Sequence, residues 1–312
     1  MYVVSSARTP LGSFRGSLSE LTAVQLGSIA IKGAIERAGI PADAVDEVVF
    51  GNVVQAGSGA NVARQAALAA GLKSSTIAVT VNKVCASGMK AILIGTQMIK
   101  AGDAEVVVAG GTESMSNAPY YLKRGETPYG GVNLADALLV DGLLDPFKNG
   151  HSGDCAENTA KVQNITREEQ DDYCIRSYKR AQEAAAKGLL AKEIVPVTIA
   201  GKRGKPDVVV SEDEEYKKVV FEKVKSLNPA FKKDGTGTIT AANASTINDG
   251  AAAVVLASEA AVKKYDLKPL AKVIAYADAA TESIDFPIAP AAAVQKVRIF
   301  YRSSSRLLRL LR

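Results

Sequence analysis

A layered α/β fold is predicted by three features of the 312-residue chain. Between residues 1 and 115, short apolar runs alternate with helical runs. The apolar runs are continuous rather than alternating, the pattern of strands covered on both faces. Trp is absent and aromatic residues make up only 5%. The core must therefore be built from Ala, Val, Ile and Leu, which let helices lie close to a sheet.

The strand candidates in this region are Tyr2-Val3-Val4, Val48 to Phe50 ending at Gly51, Ala78 to Val81, and Glu105 to Ala109 closed by Gly110-Gly111. The helices between them span Thr22 to Ala38, Asn61 to Ala70 and Ser87 to Ala101, followed by the stop residues Gly39, Gly71 and Gly102. From 116 to 245 the character changes. Pro119, Pro128, Pro146 and many glycines mark a loop-rich insertion with one clear helix, Arg167 to Lys187, opened by a capping box of Thr166 and Glu169. The stretch Lys202 to Lys225 is dense in charge and reads as exposed strand and loop. The core pattern returns over 246–266 with Asp249 to Leu256, and Ala271 to Ala277 reads as the first strand of a further α/β unit. After Lys296 the composition shifts to Arg, Ser and Leu. That tail reads as a non-native ending from a shifted frame or altered splice, or else as a basic amphipathic helix for a membrane surface.

Composition excludes several classes. The net charge of +5 is mild and scattered, which reads as a solvated surface, with an anionic small-molecule partner as the alternative. No nucleic-acid-binding motif is present, and no apolar stretch is long enough for a membrane span. The cysteines are Cys85, Cys155 and Cys174. An odd count without a C-x-x-C pair argues against a disulfide framework and fits a reducing compartment. The N-terminus opens directly on a strand without a charged and apolar leader, so a cytoplasmic location is expected, with peroxisomes as the alternative.

The run Asn82-Lys83-Val84-Cys85-Ala86-Ser87-Gly88-Met89 places a cysteine where a strand ends and a helix starts. A helix N-terminus presents free N–H groups and the positive end of a dipole, which stabilise a thiolate. Small residues after Cys85 leave room for a bulky thioester. On spacing alone, a lone cysteine is more often a small, inert buried residue.

Beyond spacing, Asn82 to Gly88 resembles the acyl-cysteine motif of thiolases. In the same order, Arg8-Thr9-Pro10 with Gly12 and Phe14 resembles the family's opening strand and turn, and Ala109 to Ser116 its Gly-Gly turn. Asn243-Ala244-Ser245 with Asn248 to Ala252 resembles its re-entry into the first core domain. The likeness covers residues 1–295. It implies a thiolase-like layered fold: an N-terminal core domain from 1–115 plus 246–266, a loop domain over 116–245 for coenzyme A binding and oligomer contacts, the start of a largely missing C-terminal domain over 267–296, and a divergent basic tail over 297–312. Helix Ser87 to Ala101 would be one of two buried central helices, and without cover on its outer side the chain would be marginally stable. Ketoacyl synthases also place a Cys at a helix start, but the Asn-Ala-Ser and Asn-Asp-Gly segments and the insertion fit thiolases better.

The resemblance further implies condensation of two acetyl-CoA molecules to acetoacetyl-CoA, or the reverse thiolysis, through an acyl-Cys85 intermediate, in lipid metabolism and the mevalonate pathway. His151, the single histidine, would contact the pantetheine of coenzyme A, although Ser152 replaces the usual Met after it. Ser245 and Lys223 would also bind coenzyme A. Tyr178 and the backbone at Ala241, Ala242 and Ala244 would hold a potassium ion, with no other cofactor required. Assembly would be a homo-oligomer, dimer or tetramer. The family's N-E-A-F, G-H-P and C-x-G motifs are absent from these residues. Little or no turnover is therefore expected of this chain, and the alternative is a non-catalytic fragment that binds coenzyme A or other subunits.

Overall fold

A computed structural model describes residues 1–126, 128–147 and 150–302, with side chains described through residue 299. In chain order the elements are β1 (Tyr2–Arg8), β2 (Gly12–Ser13), α1 (Ala23–Ala38), β3 (Glu47–Gly51), α2 (Val62–Ala69), β4 (Ile77–Val81), α3 (Ser87–Ala101) and β5 (Val106–Ser114). The paired short strands β6 (Tyr120–Tyr121) and β7 (Ala135–Asp136) follow, then α4 (Ser152–Val162) and α5 (Arg167–Ala186). Next come the pair β8 (Val197–Ile199) and β9 (Val208–Val210), α6 (Phe221–Val224), β10 (Asn248–Ala257), α7 (Glu259–Lys264), β11 (Ala271–Lys272) and α8 (Ala289–Arg302). The chain forms two compact units: residues 1–142, 180–218 and 246–272, and residues 143–179, 219–245 and 273–312.

The first unit is organised by a mixed sheet in the order β11-β1-β10-β5-β3-β4, with β2 alongside β10. β3 runs parallel to both β4 and β5, whereas β10 is antiparallel to β5 and β1. Alternation along the central strands sends side chains to both faces. Val106 and Val108 of β5 join Val48 and Phe50 of β3 beneath α1 and α2; Val107 and Ala109 join Val49 and Leu256 beneath α3. α1 buries Leu26, Ala30, Ile31 and Ala34 at helical spacing. Thr22 and Gln25 cap it reciprocally, and Gly39 ends it at φ +70°. α3 begins at Ser87 and ends at Ala101, as its pattern predicts.

The glycine pair 110–111 departs from expectation. It is not a turn; β5 runs through it to Ser114. A Cβ on Gly110 would meet the Ala252 carbonyl and lie 2.7 Å from the Phe50 ring. Gly111 faces the start of α3, where a Cβ would lie 3.4 Å from the Gly88 Cα. Bare backbone is needed for close approach here, not for bending. The strand expected over Ala271 to Ala277 shortens to Ala271–Lys272, which pairs with Tyr2 and Val3 at the sheet edge. A helical turn over Ser283–Ile288 and then α8 follow, and residues 303–312 of the tail lie outside the described residues.

The charge-dense stretch is also not simply exposed. Asp213 receives both Arg8 guanidinium nitrogens at 2.7 and 2.9 Å and the Leu11 N–H at 2.7 Å. Glu214 accepts the Ser13 N–H at 2.6 Å. Burial pushes Glu214 up, but the Ser13 and Ser17 donors outweigh it and hold the carboxyl below its ordinary range. This bidentate clamp fixes the loop between β1 and α1.

The second unit contains α4, a helix not anticipated because its polar sequence carries no apolar period. It rests on the turn over 283–288, with Asn158 Nδ2 donating to Asp285 at 3.0 Å and Cys155 Sγ 3.6 Å from the Ser283 carbonyl. Substituting Gly110→Ala is expected to lower stability by about 2–3 kcal/mol, because the added methyl meets backbone that cannot yield. Urea unfolding midpoints of the two proteins provide the measurement.

Candidate active site

Cys85 stands in the turn between β4 and α3, and its side chain is exposed. Its neighbour Val84 adopts φ +50°. The left-handed region is strained for a β-branched residue, by an amount on the order of 1–3 kcal/mol. Local hydrogen bonds hold it there. Asn82 Oδ1 accepts the Val84 N–H at 2.9 Å. Ser87 Oγ accepts the Lys83 N–H at 2.8 Å and donates to the Val84 carbonyl at 2.6 Å. The Ala86 and Ser87 N–H groups bond back to the Lys83 and Val84 carbonyls at 3.2 and 3.0 Å. The result is a sharp elbow carrying the thiol outward at the start of a 15-residue helix.

The elbow is seated on glycine. A Cβ on Gly51, the last residue of β3, would lie 2.7 Å from the Ser87 Cβ and 2.8 Å from the Gly88 nitrogen. Directly after Gly51, Asn52 donates through Nδ2 to the Thr112 carbonyl at 2.8 Å. Glu113 receives the N–H groups of Val53 and, at 3.3 Å, Val54. Burial raises Glu113 above the usual carboxylate range, and these backbone donors only partly offset it. Burial also raises Asp249, although the Ser116 N–H donates to it at 2.9 Å.

The other expected site residues stand in the second unit. His151 is the N-cap of α4: its Nδ1 accepts the Gly153 N–H at 2.9 Å, and its own N–H donates to Asp154 Oδ2 at 2.9 Å. An accepting Nδ1 leaves the proton of the neutral ring on Nε2. The imidazole stacks on Phe231, with ring centroids 4.8 Å apart. Gly153 makes room for that ring, since any Cβ there would strike Phe231.

Ser245 is exposed and ends a turn over 240–244 that hydrogen bonds make rigid. Thr240 N–H donates to Asn243 Oδ1 at 2.8 Å, and Asn243 Nδ2 donates to Asp171 on α5 at 3.0 Å. Asp171 also takes Arg167 Nε at 2.7 Å. Glu157, 2% exposed, accepts from the N–H groups of Thr238 and Ile239, both at 2.9 Å. Lys223, on α6, is exposed. Tyr178 lies one turn beyond Cys174 on α5, so the two share a helix face. Cys174 Sγ donates to the Ala242 carbonyl at 3.1 Å. A phenol oxygen and main-chain carbonyls suit a hard monovalent cation, and Ala241 and Ala244 supply carbonyls from the same turn. The donor types therefore fit potassium, with the Ala242 oxygen already shared with a thiol. Among the described residues no cluster of three His, Cys, Asp or Glu side chains forms a metal site.

Neither remaining cysteine resembles Cys85. Cys155 and Cys174 are buried, and burial raises the Cys174 thiol, with Asp171 adding to the effect. An open cleft of about 520 Å³ lies between α4 and the segment 232–238, lined by Glu157, Lys161 and Lys232. It includes none of the expected site residues. Sequence reading missed Ser87 and Asn82 as turn supports, and it missed Phe231, Glu157 and Asp171. Ser87 and Asn82 lie inside the quoted motif; Phe231 sits in a Lys- and Gly-rich stretch that gives no pattern.

An exposed cysteine held on a strand-to-helix elbow beside a mixed sheet is the arrangement expected of a thiolase-type fold. A profile described as "Thiolase, N-terminal domain" matches residues 1–260. The chain belongs to the thiolase family. It is 58% identical over 295 residues to acetyl-CoA acetyltransferase B, mitochondrial, of Xenopus laevis, covering 95% of this chain and 70% of that protein. It is 59% identical to the mitochondrial acetyl-CoA acetyltransferase of Bos taurus, covering 95% and 69%. The crystal structure of Acat5 thiolase from Ascaris suum in complex with coenzyme A matches with a TM-score of 0.91 and 51% identity, over 97% of this chain and 77% of that one. By family the chain is an acyltransferase. The expected cytoplasmic or peroxisomal location does not stand, because these relatives are named mitochondrial. The expected place in the mevalonate pathway falls with it. No helix among the described residues is long and apolar enough to cross a membrane.

The raised value of Glu113 has a definite sign. Its charged form is disfavoured in the fold, so its contribution to stability is full at acid pH and is lost as pH rises through the raised folded value. Stability of Glu113→Gln relative to wild type should therefore improve between about pH 4 and about pH 7. Urea midpoints across that range check the trend; a flat or opposite trend contradicts the assignment.

Proposed function

We propose that this chain carries the acyl-accepting centre of an acetyl-CoA C-acetyltransferase. The exposed Cys85 on its strained elbow is the observation that supports this most. The Cys85 sulfur attacks the thioester carbonyl of acetyl-CoA, forming a new C–S bond. The C–S bond to coenzyme A breaks, and the Cys85 proton passes to the departing thiolate. The Cys85 backbone N–H contributes to the hole for the transient oxyanion. The methyl carbon of a second acetyl-CoA then gives up a proton, and the resulting enolate attacks the acyl carbon; the C–S bond to Cys85 breaks, its sulfur takes up the proton, and acetoacetyl-CoA leaves; thiolysis is the reverse. The likeness of Asn158 to Lys161 and of Gly235 to Asp249 to acetoacetyl-CoA thiolases favours a short acyl group.

His151 presents Nε2–H and the face of its stacked ring to the pantetheine, Ser245 offers its hydroxyl to the same arm, and Lys223 serves the charged end of coenzyme A. Tyr178 and the carbonyls of Ala241, Ala242 and Ala244 would hold potassium, whose charge would fix the turn before Ser245. The compartment is the mitochondrion. Assembly is a homo-oligomer through the 116–245 segment, which exposes Tyr120, Leu122 and Leu134. The 312 residues hold one histidine, and its Nδ1 is committed to the α4 cap. No imidazole within the chain is free to deprotonate Cys85, and acid–base assistance is worth roughly 10²–10⁴ in rate. The chain by itself should accept acetyl groups slowly and turn over near background. The capping role of His151 also supports the second reading, a non-catalytic subunit that binds coenzyme A.

Incubation with acetyl-CoA followed by peptide mass spectrometry should find a single acetyl group on Cys85, absent in Cys85→Ser. An unlabelled Cys85 alongside intact coenzyme A binding would favour the second reading. Asn is a strong N-cap residue, so His151→Asn should change Tm little while weakening coenzyme A binding by about tenfold, the equivalent of about 1.4 kcal/mol. Calorimetric titration with coenzyme A measures the loss, and unchanged affinity would remove His151 from the pantetheine contact.

A further inference from the structure

We infer that Ser87, assisted by Asn82, is the positioning residue of the nucleophile, and the inference rests on the acyl-carrier reading of Cys85. α3 has Ala86 at its N-cap and no side-chain cap bond. Ser87, the first residue of the helix, directs its hydroxyl away from the helix's own orphan amides. It accepts the Lys83 N–H at 2.8 Å and donates to the Val84 carbonyl at 2.6 Å. The hydroxyl therefore closes a ring around Val84, the one residue of the elbow with positive φ. Asn82 completes the restraint by accepting the Val84 N–H at 2.9 Å.

Both peptide groups flanking Val84 are thereby tied, and they set the direction of the Cys85 Cα–Cβ bond. Ser87 cannot drift. It is 4% exposed, and it lies so near Gly51 that a Cβ added there would be 2.7 Å from it. By contrast, Val84 is 51% exposed and its side chain contributes little to hold the turn. A strained turn relaxes unless surrounding structure over-determines it. Here the over-determination comes from one hydroxyl and one amide oxygen, neither of which bonds to the reacting atoms. Their role is to keep the sulfur on line with an incoming thioester carbon.

The test is the single-turnover rate of Cys85 acetylation at several acetyl-CoA concentrations, measured per folded molecule. Ser87→Ala should lower the maximal rate by about 10- to 100-fold, the scale for misplacing a reacting group, and leave the half-saturating acetyl-CoA concentration unchanged. Ser87→Thr, which keeps the hydroxyl, should recover most of the rate. Asn82→Ala, at an exposed position, should lower the maximal rate in the same direction, and it carries the test if Ser87→Ala does not fold. A wild-type maximal rate in the folded Ser87→Ala and Asn82→Ala proteins, or a loss seen only as weaker saturation, overturns the inference. Failure of the wild-type protein to acetylate at Cys85 instead sinks the acyl-carrier reading itself.

Discussion

The site depends on how closely the first turn of α3 approaches the ends of β3 and β5. Side chains normally hold a helix well clear of a sheet. At this contact Gly51, Gly88 and Gly111 remove the Cβ atoms from both partners. The helix start settles onto bare backbone, which pins Ser87. Pinning Ser87 makes the left-handed Val84 tolerable, and that in turn carries Cys85 out to solvent. Dense packing elsewhere in the layer, with Val107 and Ala109 under Ala91, anchors the rest of the helix. The thiol is therefore aimed by rigid elements rather than by a loop.

The second unit solves a different problem, ordering an irregular stretch that lies outside the two apolar clusters of the first unit. It does so with buried acids whose oxygens are fully engaged. Glu157 receives main-chain and hydroxyl donors from Thr238 and Ile239. Asp171 ties Arg167 to Asn243, and Arg167 continues to the Val224 and Leu227 carbonyls at 3.2 and 3.0 Å. Each such group would be costly if left unpaired in the interior. The turn leading to Ser245 and the chain leading from α6 inherit their order from this network.

Much of the first unit was legible because strand and helix periods there are governed by local burial. The continuous apolar runs at Val48 and Val106, and the glycine stops at Gly39 and Gly102, had one reading each. The Gly110-Gly111 pair was read as a turn because paired glycines usually mark one. Its actual cause, the nearness of Ala252 and Phe50, is a tertiary contact with no local trace. α4 escaped for a related reason: its buried residues include Glu157, and its cap is a histidine rather than Ser, Thr, Asp or Asn. The acidic run at Asp213 looked solvated because its partner, Arg8, is some two hundred positions away in sequence. The place of Cys85 between a strand and a helix was readable, whereas the hydrogen bonds of Ser87 were not. A serine among small residues gives no indication of where its hydroxyl points.

That last point bears on what strain accomplishes here. If the elbow were built with glycine at position 84, the left-handed conformation would carry little cost, but the turn would also gain many alternatives. A valine admits few backbone states, and two hydrogen-bonding side chains select one of them. The strain is thus compatible with precision: a residue that resists the conformation, held by groups that insist on it, leaves less freedom than a residue that accepts it readily. The same logic explains why the helix does without a side-chain cap at Ala86. A serine hydroxyl spent on the first helical amides would stabilise α3 by about 1 kcal/mol, yet it would leave the Val84 carbonyl and the Lys83 N–H without a common anchor. The sequence places the hydroxyl one residue further on, at Ser87, where it restrains the elbow that carries Cys85 rather than the helix.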